Sequence, residues 1–174
     1  MHPKFSLRGT SFCSAKKDSY DIAILETEKP MRWRLTKDGF GSVNRICLPR
    51  AGQVHDEGEL LVVTGWGSEI AGVVSVSSIL NKVNVPIAPF QECQINYKCH
   101  PLGYDVAEDH ICAGFKEGGR DSCVGDSGGP LMKVNGGQAE LVGLVAFGFG
   151  CAAPAYPGVY TKVSHYIDWI HANL

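Results

Sequence analysis

Apolar residues in this chain occur mostly in short runs, and glycine, proline and asparagine turns separate the runs. Short runs rich in Val, Ile, Leu and Tyr are typical of strands, because a surface helix needs a longer amphipathic pattern. Strands are therefore predicted at residues 20–25, 60–67, 79–85, 131–134, 141–147 and 158–163. Short strands at such spacing indicate an antiparallel sandwich or barrel.

The end of the chain has a different pattern, with apolar residues spaced as on one face of a helix. These residues are Val163, Tyr166, Ile167 and Ile170. Ser164 is a favourable residue type for the N-cap of such a helix. The spacing predicts a short amphipathic helix that covers residues 164–174 and packs on the sheet.

Composition places the chain among globular proteins, since a hydrophobic fraction of 44% is too high for a disordered chain. The net charge is −2, and no basic run exceeds two residues. Nucleic acid and anionic membrane surfaces are therefore not predicted as partners. The longest weakly polar stretch, residues 141–156, is broken by glycines and a proline, so no membrane span is predicted.

Seven cysteines indicate disulfides. None of them forms a CxxC pair or a Cys/His cluster with zinc spacing, so neither a metal site nor a cofactor is predicted. Disulfides favour an oxidising, extracytoplasmic setting. The segment Met1-His2-Pro3-Lys4-Phe5 lacks the apolar core of a signal peptide. Either Met1 is not the true start and a signal peptide lies upstream, or the chain is cytosolic with free thiols; we favour the first.

The stretch from Asp121 to Pro130 concentrates reactive groups, with two carboxylates, two hydroxyls, a thiol and three glycines. Glycines allow a positive φ, which lets backbone N–H groups turn toward a ligand. A serine among such donors is a plausible nucleophile beside an oxyanion hole. A polar surface loop is the alternative, but the coincidence of so many constraints argues against it.

Asp21 is the second notable acid, because it stands inside the apolar run at residues 20–25. A carboxylate in a buried strand is unfavourable unless it is paired or hydrogen-bonded. By pattern alone, Asp21 is either a functional acid or a cap at the start of the strand.

The residues Gly-Asp-Ser-Gly-Gly-Pro at 125–130 closely resemble the nucleophile motif of the chymotrypsin/trypsin family of serine endopeptidases. The resemblance covers nearly the whole chain and is strongest from residue 65 to the end. It implies that Ser127 is the nucleophile, and that Gly125 and Ser127 supply the N–H groups of the oxyanion hole. Asp126 resembles the acid that pairs with the new N-terminal amine after zymogen cleavage. Asp21, in Asp-Ile-Ala-Ile-Leu, resembles the aspartate that orients the catalytic histidine.

The same resemblance implies a specificity pocket. Asp121, six residues before Ser127, matches the position at the base of the family's pocket, where a carboxylate would pair with a substrate arginine or lysine. Gly148 and Gly158 match the two wall positions that must be small. The remaining pocket residues implied are Ser122 and Phe147, the latter an aromatic wall. Ala146 replaces a serine whose hydroxyl usually contacts the catalytic aspartate, and we expect this to have modest effects.

Two disulfides follow from the resemblance, Cys93–Cys112 and Cys123–Cys151, and the second would brace the pocket. Cys47 resembles the cysteine that ties the catalytic domain to an upstream light chain or propeptide. Cys13 and Cys99 have no common counterpart in the family. We predict that they pair with each other, since the loop before Asp21 and the loop between Cys93 and Cys112 should be neighbours beside the substrate cleft.

Parts of the family pattern are absent from the sequence. No histidine is followed by cysteine, and only His2 precedes Asp21. An activation terminus of the Ile-Val-Gly-Gly type is also missing. The expected fold is all-β, a chymotrypsin-like double six-stranded antiparallel β-barrel with the first barrel largely missing and a short C-terminal helix. Residues 1–45 would be the remainder of the first barrel, 46–64 the connector, 65–163 the second barrel and 164–174 the helix.

Three functional hypotheses follow. The first is the C-terminal portion of a secreted trypsin-like endopeptidase that cleaves after Arg or Lys, with this chain alone poorly active or inactive. Its partners would be protein substrates with Arg or Lys at the cleaved bond, protein inhibitors, and a light chain or propeptide bound through Cys47. The second is a non-catalytic homologue that acts by binding. The third, a disulfide-braced β domain of unrelated function, is disfavoured by the number of matches.

Overall fold

The computed structural model describes residues 20–31 and 43–174. The strands in this part of the chain are β1 (Leu60–Gly65), β2 (Asn81–Pro86), β3 (His110–Ala113), β4 (Pro130–Asn135), β5 (Gln138–Phe147) and β6 (Gly158–Lys162). The helices are α1 (Phe90–Cys99) and α2 (Ile167–His171), with a 3₁₀ turn at Val163–His165. Residues 20–25 form no strand, so that prediction is wrong. A strand requires a paired neighbour, and no strand of the described residues pairs with this segment.

The six strands form one antiparallel sheet in the order β2-β1-β4-β5-β6-β3. The sheet curls until its two edges meet at one end. There the Gly114 N–H donates to the Pro86 carbonyl at 2.8 Å, and the Ala88 N–H donates to the Cys112 carbonyl at 2.9 Å. The predicted all-β fold is confirmed, with one curled barrel sheet in the described residues rather than two.

Alternating side chains of the strands fill the barrel, as expected for a sheet with one buried face. Leu61 and Val63 of β1 are almost fully buried, whereas Leu60 is exposed. The interior cluster consists of Leu61, Val63, Val85, Ile87, Ile111, Ala113, Leu131, Val142, Val145 and Tyr160. The core thus contains residues from all six strands and from the position just after β2.

The hairpin between β4 and β5 has a two-residue turn. Asn135 pairs with Gln138, and Gly136 and Gly137 lie between them. Their φ values of 55° and 83° are both positive. That combination is typical of the turn that matches the twist of antiparallel strands, and it favours glycine at both positions.

The C-terminal segment packs on the sheet as predicted. Val163, Tyr166, Ile167 and Ile170 are all buried, and Ile22 joins them in a second apolar cluster. The prediction that Ser164 caps the helix is wrong, because α2 begins at Ile167 and no side chain caps it. Ser164 is buried instead, and its hydroxyl donates to the Gln53 carbonyl at 2.9 Å.

Helix α1 replaces part of the expected loop between Cys93 and Cys112. Its sequence is largely polar, but Cys93 and Tyr97 are buried one turn apart. The Tyr97 hydroxyl donates to the Pro157 carbonyl at 2.6 Å, which fixes the helix against the chain just before β6. Among the described residues, neither helix has the length and apolar character needed to cross a lipid bilayer.

Candidate active site

The loop that carries Ser127 is anchored to strand β5. The Gly128 N–H donates to the Val145 carbonyl at 2.8 Å, and the Val145 N–H donates to the Gly129 carbonyl at 2.9 Å. Gly128 has a φ of 78°, which lets the chain turn immediately after the serine. The turn leaves Ser127 exposed, so its hydroxyl is accessible to a ligand.

Two backbone amides hold the Asp126 carboxylate beneath this loop. The Gly67 N–H donates to Asp126 Oδ1 at 2.7 Å, and the Cys123 N–H donates to Oδ2 at 2.9 Å. A Cβ atom at Gly67 would lie 2.5 Å from this carboxyl group, and one at Gly65 would lie 1.9 Å from Oδ1. The glycines on either side of Trp66 therefore allow the carboxylate to approach, a role that the sequence pattern did not reveal.

Gly125 lies directly against the segment that follows β1. Its φ is 100°, and a Cβ atom there would lie 3.2 Å from the Gly67 Cα and 3.3 Å from the Val76 Cγ1. Neither the Gly125 N–H nor the Ser127 N–H donates a hydrogen bond within the described part of the chain. Both amides are therefore available to bind an oxygen atom of a ligand.

A pocket of about 200 Å³ opens beside Ser127. The structure brings together in its lining the serine and all residues that the resemblance assigns to the specificity pocket: Asp121, Ser122, Ser127, Phe147, Gly148 and Gly158. The Cys123–Cys151 disulfide lines the same pocket, with the two Cα atoms 5.2 Å apart. The site therefore combines a hydroxyl, a carboxylate and a narrow cleft.

Asp121 is a largely buried acid that is held by backbone amides. The Ser122 N–H donates to Oδ1 at 2.8 Å, and the Ala152 N–H donates to Oδ2 at 3.0 Å. Burial raises the pKa of Asp121 to about 6; the two amides oppose this rise, and the nearby Asp126 carboxylate adds to it. Among the described residues, no cation pairs with this carboxylate. A positively charged ligand group would therefore find an unpaired acid there.

The two glycines of the pocket wall have different packing. A Cβ atom at Gly158 would lie 2.6 Å from Asp121 Oδ1 and 3.0 Å from the Tyr160 ring, so a larger residue would displace the acid. A Cβ atom at Gly148 would have its nearest contact at 3.7 Å, which is ordinary packing. Gly148 therefore keeps the pocket wide, but a small side chain at this position would not clash with neighbouring atoms.

Asp21 lies outside this pocket and is held against strand β6. The Thr161 hydroxyl of β6 donates to the Asp21 carbonyl at 2.9 Å. Thr161 is adjacent to Tyr160, and Tyr160 pairs with Val145 of β5. The Val145 carbonyl in turn accepts the hydrogen bond from the Gly128 N–H. Partial burial raises the pKa of the Asp21 carboxyl, and the charge of nearby His110 opposes that rise.

A buried polar cluster holds the residue before Asp21. The Tyr166 hydroxyl donates to Asp109 Oδ2 at 2.6 Å, and the Tyr20 N–H lies within hydrogen-bonding distance of the Tyr166 hydroxyl and of the same carboxyl oxygen. Burial raises the pKa of Asp109, but the bonds from Tyr166 and Tyr20 and the charge of His110 hold it below its ordinary value. Tyr20 has a φ of 66°, which is unfavourable for a tyrosine, and these bonds compensate for it. Sequence reasoning missed this cluster, since its members are far apart in the chain.

The remaining cysteines are placed as follows. Cys93 and Cys112 form a disulfide with a Cα–Cα distance of 6.6 Å. Cys47 and Cys99 are exposed, and neither forms a disulfide with another cysteine of the described residues. Cys47 is bound through its backbone to Ala139 and Leu141 of β5, which holds its side chain at the surface. Cys13 lies outside the described residues, so its pairing with Cys99 stays a prediction.

Comparison with known proteins identifies the family. The family model described as Trypsin matches residues 2–170. The chain therefore belongs to the trypsin family of serine proteases.

Individual relatives agree with this assignment. The chain is 45% identical to Trypsin-1 of Astacus astacus over 88% of its own length and 59% of that protein. It is 40% identical to Trypsin Blo t 3 of Blomia tropicalis over 86% of its length and 53% of that protein. It is 36% identical to the Clotting factor G beta subunit of Tachypleus tridentatus over 87% of its length and 49% of that protein. The chain thus spans only about half the length of the relatives that it matches.

Proposed function

We propose that the protein is an endopeptidase that cleaves peptide bonds after Arg or Lys. The supporting observation is the single pocket in which an exposed serine and a largely buried, unpaired carboxylate lie together. In this proposal the side chain before the cleaved bond enters the pocket, and its cation pairs with Asp121. Gly148 and Gly158 leave room for the long side chain, and Phe147 forms the aromatic wall.

The chemical roles follow from the same arrangement. Ser127 Oγ attacks the carbonyl carbon of the cleaved bond, and the N–H groups of Gly125 and Ser127 stabilise the oxyanion. A histidine takes the serine proton and passes it to the leaving amine as the C–N bond breaks. Water then hydrolyses the acyl-enzyme, and the proton returns to Ser127. Asp21 orients the histidine, and Asp126 pairs with an activated N-terminal amine.

We propose further that this chain alone is inactive. No histidine of the printed sequence precedes Asp21 in an Ala-Ala-His-Cys context, so none stands in the order that the triad requires. His110 is not a substitute in this proposal, because it is buried and follows Asp21 in the chain. Without a base, only residual catalysis by binding and the oxyanion hole remains.

The cellular setting is also part of the proposal. Two internal disulfides are typical of secreted proteins, and we propose that the whole protein is secreted as a zymogen and is open to protein inhibitors. The exposed Cys47 thiol would bind a light chain or propeptide. Non-reducing peptide mapping of the full-length protein tests this link, and a Cys47 that maps as a free thiol would contradict it.

Binding of 4-aminobenzamidine, a fluorescent aryl amidinium that mimics arginine, tests the pocket without requiring turnover. We expect saturable binding by this chain and at least about tenfold weaker binding by Asp121→Asn, because the ion pair is lost. Asp105→Asn removes an acid that does not line the pocket and is the matched control. Equal binding by the three proteins would contradict the assigned role of Asp121.

Hydrolysis of an arginine amide tests the chemistry. We expect none from this chain, and we expect turnover from a longer form that includes the histidine segment and is cleaved to activate it. Ser127→Ala in the longer form should abolish this turnover. A longer form that binds 4-aminobenzamidine but never hydrolyses the amide would favour the non-catalytic homologue instead. Stoichiometric turnover by the present chain would refute its proposed inactivity.

A further inference from the structure

A second cavity, of about 390 Å³, lies on the far side of the wall that bounds the Asp121 pocket. We call it the back cavity. Its interior is apolar and is formed by Ile87, Pro89, Cys93, Phe115 and Pro157. The volume falls within the range of small-molecule sites, and such sites combine an apolar interior with a few polar groups.

The polar groups at its rim favour a cation. Glu57 lines the cavity, is exposed, and makes no ion pair among the described residues. Glu92 is neutralised by Lys116, whose Nζ lies 2.7 Å from Glu92 Oε1. The Asn96 amide donates its Nδ2 hydrogen to the Ala155 carbonyl at 2.8 Å, which leaves its oxygen as a further acceptor. The rim therefore carries one unpaired negative charge.

The back cavity is separate from the Asp121 pocket, although one stretch of chain borders both. Pro157 faces the back cavity, and the next residue, Gly158, lines the Asp121 pocket. The Ala155 N–H donates to the Lys116 carbonyl at 2.9 Å, and the Gly119 N–H donates to the Ala152 carbonyl at 3.0 Å. These bonds join the two loops that form the wall, and the linings of the two cavities share no residue.

We propose that the back cavity is a binding site for a small molecule with an apolar body and a cationic head group. The body fills the space beside the Cys93–Cys112 disulfide, and the cation faces Glu57. The geometry of the Asp121 pocket has no part in this binding, so the proposal stands whether or not the chain belongs to an active protease.

Titration of the ¹⁵N-labelled chain with 4-phenylbutylamine tests the site. The Asp121→Asn variant is the host, because the substitution suppresses entry of the amine into the other pocket. We expect saturable shifts of the amide signals of Gly58, Asn96 and Phe115. The neutral analogue 4-phenylbutan-1-ol should bind more weakly. The absence of shifts at these amides at millimolar amine would overturn the proposal.

Two further variants in the same host separate charge from general packing. Glu57→Gln should weaken binding of the amine about two- to fivefold, as expected for an exposed ion pair, and should leave binding of the alcohol unchanged. Asp56→Asn removes the neighbouring exposed acid, which does not line the cavity, and should leave both unchanged. Equal affinities of the amine for the host and for both variants would contradict the proposed pairing of the cation with Glu57. Shifts that occur only when Asp121 is intact would assign the amine to the other pocket.

Discussion

Replacement of Asp121 by asparagine should change the free energy of unfolding in a pH-dependent way. Compared with the native chain, the variant should become more stable as the pH rises from acidic to neutral. Burial raises the pKa of this acid from its ordinary 3.8 to about 6. The folded chain therefore holds a proton that the unfolded chain has already released between about pH 4 and pH 6. The stabilisation from this proton is fully present below the unfolded pKa and is lost as the pH rises through about 6.

The two pKa values set the size of the effect. The difference between 3.8 and about 6 corresponds to about 3 kcal/mol, and partial solvent access to the carboxylate reduces this to about 1–3 kcal/mol. Asparagine does not titrate. It also forces one of its N–H groups toward the amide of Ser122 or Ala152, a cost that is independent of pH. The readout is therefore the change with pH of the stability difference between the two proteins.

Urea unfolding of both proteins, with disulfides intact, at several values between pH 4 and pH 8 measures this difference. We expect the variant to gain about 1–3 kcal/mol relative to the native chain between pH 4 and pH 7. Asp109→Asn is the control with the opposite sign, because the pKa of Asp109 is held below its ordinary value. The stabilisation that the native Asp109 carboxylate contributes is present at neutral pH and is lost as the pH falls. A stability difference for Asp121→Asn that is constant within about 0.5 kcal/mol would refute the reasoning.

Two other substitutions probe the groups that hold the site. Tyr166→Phe removes the donor to Asp109 and should destabilise the chain by about 1–3 kcal/mol in urea unfolding, since a buried acid loses a hydrogen bond; no measurable loss would contradict the structural role of the cluster. Gly67→Ala places a Cβ atom 2.5 Å from the Asp126 carboxyl group and should both destabilise the chain and weaken 4-aminobenzamidine binding. Gly148→Ala, whose Cβ would have ordinary contacts, should weaken binding by narrowing the pocket but leave stability within about 0.5 kcal/mol; equal stability losses in the two variants would count against this distinction.

Five of the six strands in the described part of the chain were predictable, because they alternate or are continuously apolar, whereas β3 was not predicted. β4, β5 and β6 lie within a few residues of their predicted positions. At β2 the prediction began too early, since Ile79 and Leu80 are exposed and the strand begins at Asn81. The start of β2 is set by its pairing with β1, in which Asn81 pairs with Gly65. The apolar pattern carries no information about this pairing.

Helix α1 and the Asp109 cluster were not predictable for different reasons. The helix buries Cys93 and Tyr97 but otherwise lacks an apolar stripe, so periodicity gave no signal. The cluster depends on contacts between Tyr20, Asp109 and Tyr166, which only the tertiary fold brings together. The residues of the Asp121 pocket, by contrast, lie in short motifs, and those motifs were enough to nominate the residues that the structure places around one cleft.

Strand order determines when the nucleophile loop can take its shape during folding. β4 and β5 are joined by only Gly136 and Gly137, so their pairing closes a very short loop. β1 pairs with β4 across a long stretch of chain, and closing that stretch has a larger entropic cost. We expect the β4–β5 hairpin to form early and the β1–β4 pairing to form late. Because Gly67 follows β1 and its amide holds Asp126, the loop around Ser127 reaches its final geometry only with that late pairing.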